Sequence, residues 1–194
     1  MSESFLRRAL NGHVLDQEQA RSVFEEMSRG ELSEIEIAAF LGALHARGEQ
    51  PSEIAGAAEA FSSAAQHFTT TAPDVIDVVG TGGDGVGTIN ISTASAFVAA
   101  SMGLKVAKHG NRAVSSKAGA ADLIEAAGIP LDLSPASSAK LLERTGFCFL
   151  FAQKYHPAMR YVAPVRGALK NPTIFNLIGP LVNPAPLSYQ VLGV

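Results

Sequence analysis

Cysteine is almost missing from this chain: Cys148 is the single one in 194 residues. No internal disulfide can form, and its setting in "FCFLF" marks a buried thiol rather than a reactive one. Long apolar runs are missing too. None approaches the ~18 residues of a membrane span, and the opening "MSESFLRRAL" lacks the apolar core of a signal peptide. The expectation is a cytoplasmic protein that does not engage a membrane. Hydrophobic residues still make up 47% of the chain, enough to build the core of one large domain or two small ones.

Acids run out along the chain. Residues 1–84 hold 14 Asp or Glu against 5 Lys or Arg, residues 85–194 hold 4 against 10, and no acid follows Glu143. The basic half has few aromatics and its charges are spaced, while the whole chain has a pI near 5.9. This pattern argues against a nucleic-acid surface and for a small anionic ligand.

The acidic front reads as helices. Asp16 and Gln19 have cap spacing and Gly30 suits a left-handed stop; Ser33 and Glu36 form a capping box ahead of Ile37, Phe40, Leu41 and Leu44 on one face. A third helix is expected from Pro51 to about His67, with proline in its first turn. His45 and His67 fall near helix C-termini, where solvated histidines are ordinary. From "VIDVVG" (75–80) the pattern alternates: a glycine turn, a helix from about Ser92 to Met102, the strand "LKVAKHG", helices in "GAADLIEAAG" and "SPASSAKLLERTG", and the strand "FCFLFA". Strands alternating with helices imply a parallel sheet. Prolines at 157, 164, 172, 180, 184 and 186 leave room for short helices and turns afterwards. The expected fold is α + α/β. A small N-terminal helical bundle (1–72) precedes a parallel-sheet α/β domain (73–167), and a return segment (168–194) packs its short helices on the bundle.

Residues 80–93 read "GTGGDGVGTINIST". A glycine loop between a buried strand and a helix start frees backbone N–H groups and admits a ligand close to the main chain, and the helix dipole favours an anion there. Asn90, Ser92 and Thr93 can bond that anion or simply cap the helix. Gly80, Gly82 and Gly85 also satisfy G-x-G-x-x-G. That dinucleotide fingerprint calls for an acid at the end of the next strand, where this chain has Lys108 and His109. The second strand runs into "KHGNRAVSSKAGAAD" (108–122), with three cations and two serines, although Lys117 can equally be a solvated surface charge. Two such loops at the same end of adjacent parallel strands suit a ligand with two phosphate groups.

"GTGGDG", "NIST", "KHGNRAVSS" and "NLIGPLVNP", in this order, resemble the anthranilate phosphoribosyltransferase family of tryptophan biosynthesis, and the resemblance spans the whole chain. It implies a nucleoside phosphorylase/phosphoribosyltransferase-like fold, a homodimer paired through its helical domain, Mg2+, and anthranilate seated between the domains. The implied reaction transfers the phosphoribosyl group of 5-phosphoribosyl 1-pyrophosphate (PRPP) to the amine of anthranilate, releasing pyrophosphate. The family pattern assigns PRPP to Gly80, Gly83, Asp84, Thr88 and the run Asn90, Ile91, Ser92 and Thr93. It continues through Lys108, His109, Gly110, Asn111, Arg112, Ala113, Val114, Ser115 and Ser116, and ends at Ala120. Ser92 is the implied magnesium ligand. Gly80, Asn111 and Arg166 are implied to contact anthranilate, where Arg166 offers a planar charged fork to a carboxylate and His109 and His156 can line the same channel. No nucleophile and base pair identifies a catalytic residue.

Two departures from the family pattern stand out. Ala118 and Ala120 replace common hydroxyl residues, so oxygen contacts there fall to backbone N–H groups. The chain stops at Val194, before the family's Asp-Glu metal pair, and no adjacent Asp-Glu pair occurs in it; the α/β domain is therefore expected to be incomplete, with an unpaired edge strand and a depleted magnesium site. Two alternatives remain: a nucleoside phosphorylase-like enzyme, and a noncatalytic fragment that dimerises or binds a ligand.

Overall fold

The computed structural model describes residues 2–81, 89–112 and 118–193. The chain forms two compact units, one of residues 1–65 and 156–182, the other of residues 66–155 and 183–194. This division differs from the expected boundaries. The return to the helical unit starts at His156, because Ala158, Val162 and Val165 fill that unit's core, and the chain leaves it again at Asn183.

The helical unit begins with α1 (Ser2–Leu10), α2 (Gln17–Arg29), α3 (Glu34–Arg47) and α4 (Pro51–Ser63). The local signals work as expected. Asp16 accepts from Gln19 N at 2.9 Å, and Ser33 and Glu36 close a reciprocal capping box. Gly30 ends α2 at φ 73, and a Cβ there would lie 2.5 Å from the Tyr161 ring, so both conformation and space require glycine. The apolar stripes converge on Phe24, which meets Phe40 and Phe175 edge-on at centroid distances of 5.3 and 6.1 Å, while Phe61 meets Phe175 at 5.0 Å; such pairs add about 0.5–1.5 kcal/mol each beyond area burial. Helices α2 and α4 touch through Gly56, where a Cβ would sit 2.5 Å from Gln17 O.

The same unit hides a carboxylate. Glu53 is fully buried and accepts from Leu15 N at 3.1 Å, Gln50 N at 3.0 Å and Arg47 Nη2 at 2.6 Å. It ties the end of α3, the start of α4 and the α1–α2 connection into one knot.

The other unit is a four-stranded parallel sheet of β1 (Val75–Gly80), β2 (Lys105–Gly110), β3 (Phe147–Phe151) and β4 (Tyr189–Gly193), in the order β3-β2-β1-β4. It carries α5 (Ile91–Ser101), α6 (Ala120–Ala126), α7 (Pro135–Thr145) and α8 (Ala152–Tyr155). β3 is buried on both faces: Phe147 and Phe149 join Ala96, Val106 and Ile124, whereas Cys148 and Leu150 join Phe68, Val75, Leu142 and Tyr155. Cys148 is the core thiol expected, its pKa pushed up to about 12 by burial.

The proline-rich tail yields α9 (Ala163–Leu169), α10 (Ile174–Ile178) and two short 3-10 turns in the helical unit. It also yields β4, "YQVLG", which the sequence reading did not mark as a strand; its residues are exposed in this chain. β4 pairs with β1 over five residues, Ile76↔Tyr189 to Gly80↔Gly193, and is the edge of the described sheet, with Tyr189, Val191 and Leu192 exposed. No helix of the described residues is long and apolar enough to cross a membrane.

Candidate functional site

Strand order defines the site. The chain steps outward from β1 to β2 to β3, then returns to lay β4 on the other side of β1. The crevice outside the carboxyl ends of strands at such a switch point is where open α/β sheets bind ligands. Gly80 ends β1 there, opposite Gly193 at the end of β4, with Thr81 N donating to Gly193 O at 3.1 Å. Gly110 ends β2 at the same edge. Its glycine is needed for close approach, since a Cβ would lie 3.0 Å from both the Ala120 Cβ and the Phe149 ring.

The described residues that open α5 and α6 beside these ends are joined. The Asn90 amide donates to Gly119 O at 3.1 Å, linking the start of α5 to the start of α6, and Ala121 N donates to Asn111 O at 3.1 Å. Asp122 accepts from Gly119 N at 2.7 Å to cap α6. The Asn111 side chain accepts from its neighbour Arg112 N at 2.8 Å and from Gln153 Nε2 at 3.4 Å. Thr93 is buried in the first turn of α5, Ser92 is half-buried and Ile91 is exposed.

The cations take different postures. Lys108 is 2% exposed and its Nζ donates inward to Val78 O at 2.7 Å; burial pulls its pKa down and Asp77 pulls it back up. His109 is also buried. Arg112 is exposed and engages Glu125 through both terminal nitrogens at 2.9 and 3.0 Å and Asp122 at 3.0 Å, while lying 5.9 Å over the Phe151 ring. Those two carboxylates raise its pKa further.

The expected residues Gly80, Asn90, Ile91, Ser92, Thr93, Lys108, His109, Gly110, Asn111, Arg112 and Ala120 all belong to the α/β unit. Gly83, Asp84, Thr88, Ala113, Val114, Ser115, Ser116 and Lys117 lie outside the described residues. Arg166 and His156 belong to the helical unit. The Arg166 guanidinium lies 5.5 Å over the Phe175 ring and reaches Asn176 Oδ1 at 3.5 Å, and burial lowers its pKa. His156 is 4% exposed, and its ring nitrogens face the backbone carbonyls of Phe61 and Val182; this is the environment of a packed core histidine.

Sequence reading missed Asp77 and Asn183. The missed signal was a lone acid in the middle of a buried strand, "VIDVVG", which has no reason to be there unless something pairs with it.

Comparisons with known proteins agree with this architecture. Residues 3–65 match the helical bundle domain of the glycosyl transferase family, and residues 72–194 match its a/b domain. The anthranilate phosphoribosyltransferase of Idiomarina loihiensis is 53% identical over 189 residues, covering 97% of this chain and 56% of that protein. The crystal structure of the Thermus thermophilus enzyme of the same name superposes with a TM-score of 0.93 at 49% identity, covering 98% of this chain and 58% of the other. The Saccharomyces cerevisiae enzyme in complex with PRPP and Mg gives a TM-score of 0.90 at 30% identity, covering all of this chain and 58% of the other. The chain thus spans a little over half the length of these relatives. It belongs to the glycosyl transferase family, carrying both the helical bundle domain and the a/b domain that define the match.

Proposed function

We propose that the chain carries the phosphoribosyl-transfer site of an anthranilate phosphoribosyltransferase, which joins the amine of anthranilate to the C1 carbon of the PRPP ribose and releases pyrophosphate. The observation that carries this reading is that β1 and β2 end side by side at Gly80 and Gly110, next to the β1–β4 switch point, where Asn90 at the start of α5 donates to Gly119 at the start of α6. Two helix starts joined at the carboxyl ends of neighbouring strands suit a donor with a phosphate at one end and a pyrophosphate at the other. In this reading Gly80, Asn90, Ser92, Thr93, Asn111 and Ala120 receive the donor, and Arg166 receives the anthranilate carboxylate as a planar fork. His156 is assigned to packing of the helical unit.

The chemistry asks little of an acid or base. An aromatic amine already offers a lone pair, so holding it in line with C1 and stabilising the charge that grows on pyrophosphate supply most of the rate. The buried Lys108 contributes positive potential behind the loops without touching solvent, and backbone N–H groups make the direct contacts. The described residues do not fit a resident magnesium: they hold no cluster of three His, Cys, Asp or Glu, and Ser92 offers one neutral oxygen where the ion prefers carboxylates. No step is therefore routed through it. A homodimer acting in the cytoplasm, in tryptophan biosynthesis, completes the reading.

The test is calorimetry of the chain with PRPP, followed by PRPP-dependent loss of anthranilate fluorescence. Saturable PRPP binding that weakens in Asn90→Ala is expected. Absence of PRPP binding, or binding of a pyrimidine nucleoside in its place, overturns the proposal.

A further inference from the structure

Three polar side chains lie beneath the two loop ends. Asp77 and Lys108 are 0% and 2% exposed, and Asn183 closes in on them from the segment that leads to β4. Asn183 Nδ2 donates to Asp77 Oδ2 at 2.9 Å and to Ala107 O at 2.9 Å, and its Oδ1 accepts from Ala185 N at 2.9 Å. Lys108 Nζ donates to Val78 O, and the backbone N–H groups of Val78 and His109 face the Asp77 carboxylate.

These main-chain partners share a position. The β1–β2 ladder is registered at Val75↔Lys105 and Ile76↔Val106, whereas Asp77, Val78, Ala107 and His109 lie beyond it toward the carboxyl ends. Lys108 and Asn183 satisfy there the carbonyls of Val78 and Ala107 that a continued ladder would have paired. A buried ammonium and a buried carboxylate are each costly alone; these two meet at Val78, next in the chain to Asp77, where the Val78 carbonyl oxygen takes the ammonium at 2.7 Å.

We infer that Asp77, held by Asn183, is a positioning residue that acts through Lys108: its charge favours the buried ammonium that grips Val78 O and so holds together the ends of β1 and β2. Its consequence for donor binding rests on the phosphoribosyl reading; the Asp77–Lys108 link itself does not. Burial pushes Asp77 up and Lys108 down, and each draws the other back toward its charged form. The other titratable groups facing this cluster are Cys148 of β3, whose thiol the Asp77 charge helps to keep protonated, and His109 beside Lys108.

The experiment uses the full chain and the isosteric Asp77→Asn. The Lys108 Cε resonance, assigned by its loss in Lys108→Met, is followed against pH, and PRPP binding is measured by calorimetry over the same range. The Lys108 midpoint should fall by about one unit or more in Asp77→Asn, and the pH at which PRPP affinity declines should fall with it, whereas a merely structural role would weaken binding equally at every pH. An unmoved Lys108 midpoint overturns the inference. A shifted midpoint in a chain that binds no PRPP upholds the link and removes the phosphoribosyl reading instead. If Asp77→Asn folds poorly, urea unfolding of Asp77→Asn, Lys108→Met and the double variant decides: a double variant less destabilised than the sum of the singles supports the link, and additivity overturns it.

Discussion

The side-chain amide of Asn90 donates to the carbonyl oxygen of Gly119 over 3.1 Å. One bond thereby joins the segment that opens α5 to the residue that opens α6, 29 positions on. Asn90→Ala should break this joint while leaving both helices intact. A neutral hydrogen bond is worth about 1 kcal/mol, so the thermal midpoint should fall by about 2–4 °C and PRPP affinity by up to roughly fivefold as the joint loosens; a melting curve and calorimetry measure both.

Gly110→Ala attacks the same edge from the second strand. The new methyl would lie 3.0 Å from the Ala120 Cβ and from the Phe149 ring, and neither a helix backbone nor a buried ring yields cheaply. Overpacking of this kind costs about 1–3 kcal/mol. Urea unfolding should show that loss, and PRPP binding should weaken further because α6 must shift to relieve the contact.

How much of this was legible in the sequence follows from what kind of force fixes each part. The caps at Asp16 and Ser33, the stop at Gly30 and the strands 75–80 and 147–151 are local signals, readable within a few residues. β4 was not read, because five residues just after a run of prolines give a weak signal alone and its pairing is dictated by β1, more than a hundred positions away. The segment after Phe151 read as short helices, which is right for α9 and α10. Nothing local says that Ala158 and Val165 complete the helical core while Asn183 goes to Asp77. Lys108 was visible as a cation at a strand end, but its inward turn toward Val78 O depends on the acid of a neighbouring strand.

Glu53 gives a stability test in the helical unit. Glu53→Ala would leave Leu15 N, Gln50 N and the half-buried Arg47 without their common acceptor. Breaking one side of a buried pair costs about 3–5 kcal/mol. Denaturant unfolding should show a loss of that order, and Arg47→Met in the Glu53→Ala background should recover part of it.

Arg112 is held by two carboxylates of α6, and an incoming phosphate must compete with them. Glu125→Gln removes the partner that grips both terminal nitrogens. PRPP affinity should rise a few-fold, most visibly at low salt where exposed charges are least screened. Unchanged affinity across salt concentrations would mean that Arg112 does not exchange partners.

His156 sets the acid side of the stability curve. Burial lowers its pKa below the ordinary 6.5, so the unfolded chain binds a proton more readily than the folded one. For a group shifted down in this way the stabilisation is complete above 6.5 and is lost as pH falls through the lower folded value. Glu31, Glu36, Glu125 and Glu143 are also shifted down, from an ordinary 4.5, and their losses therefore fall in a more acidic window. Urea unfolding of the chain between neutral pH and pH ~5 should show stability declining with acid, and His156→Gln should flatten that decline while lowering stability at neutral pH. A slope that survives His156→Gln would assign it to another group.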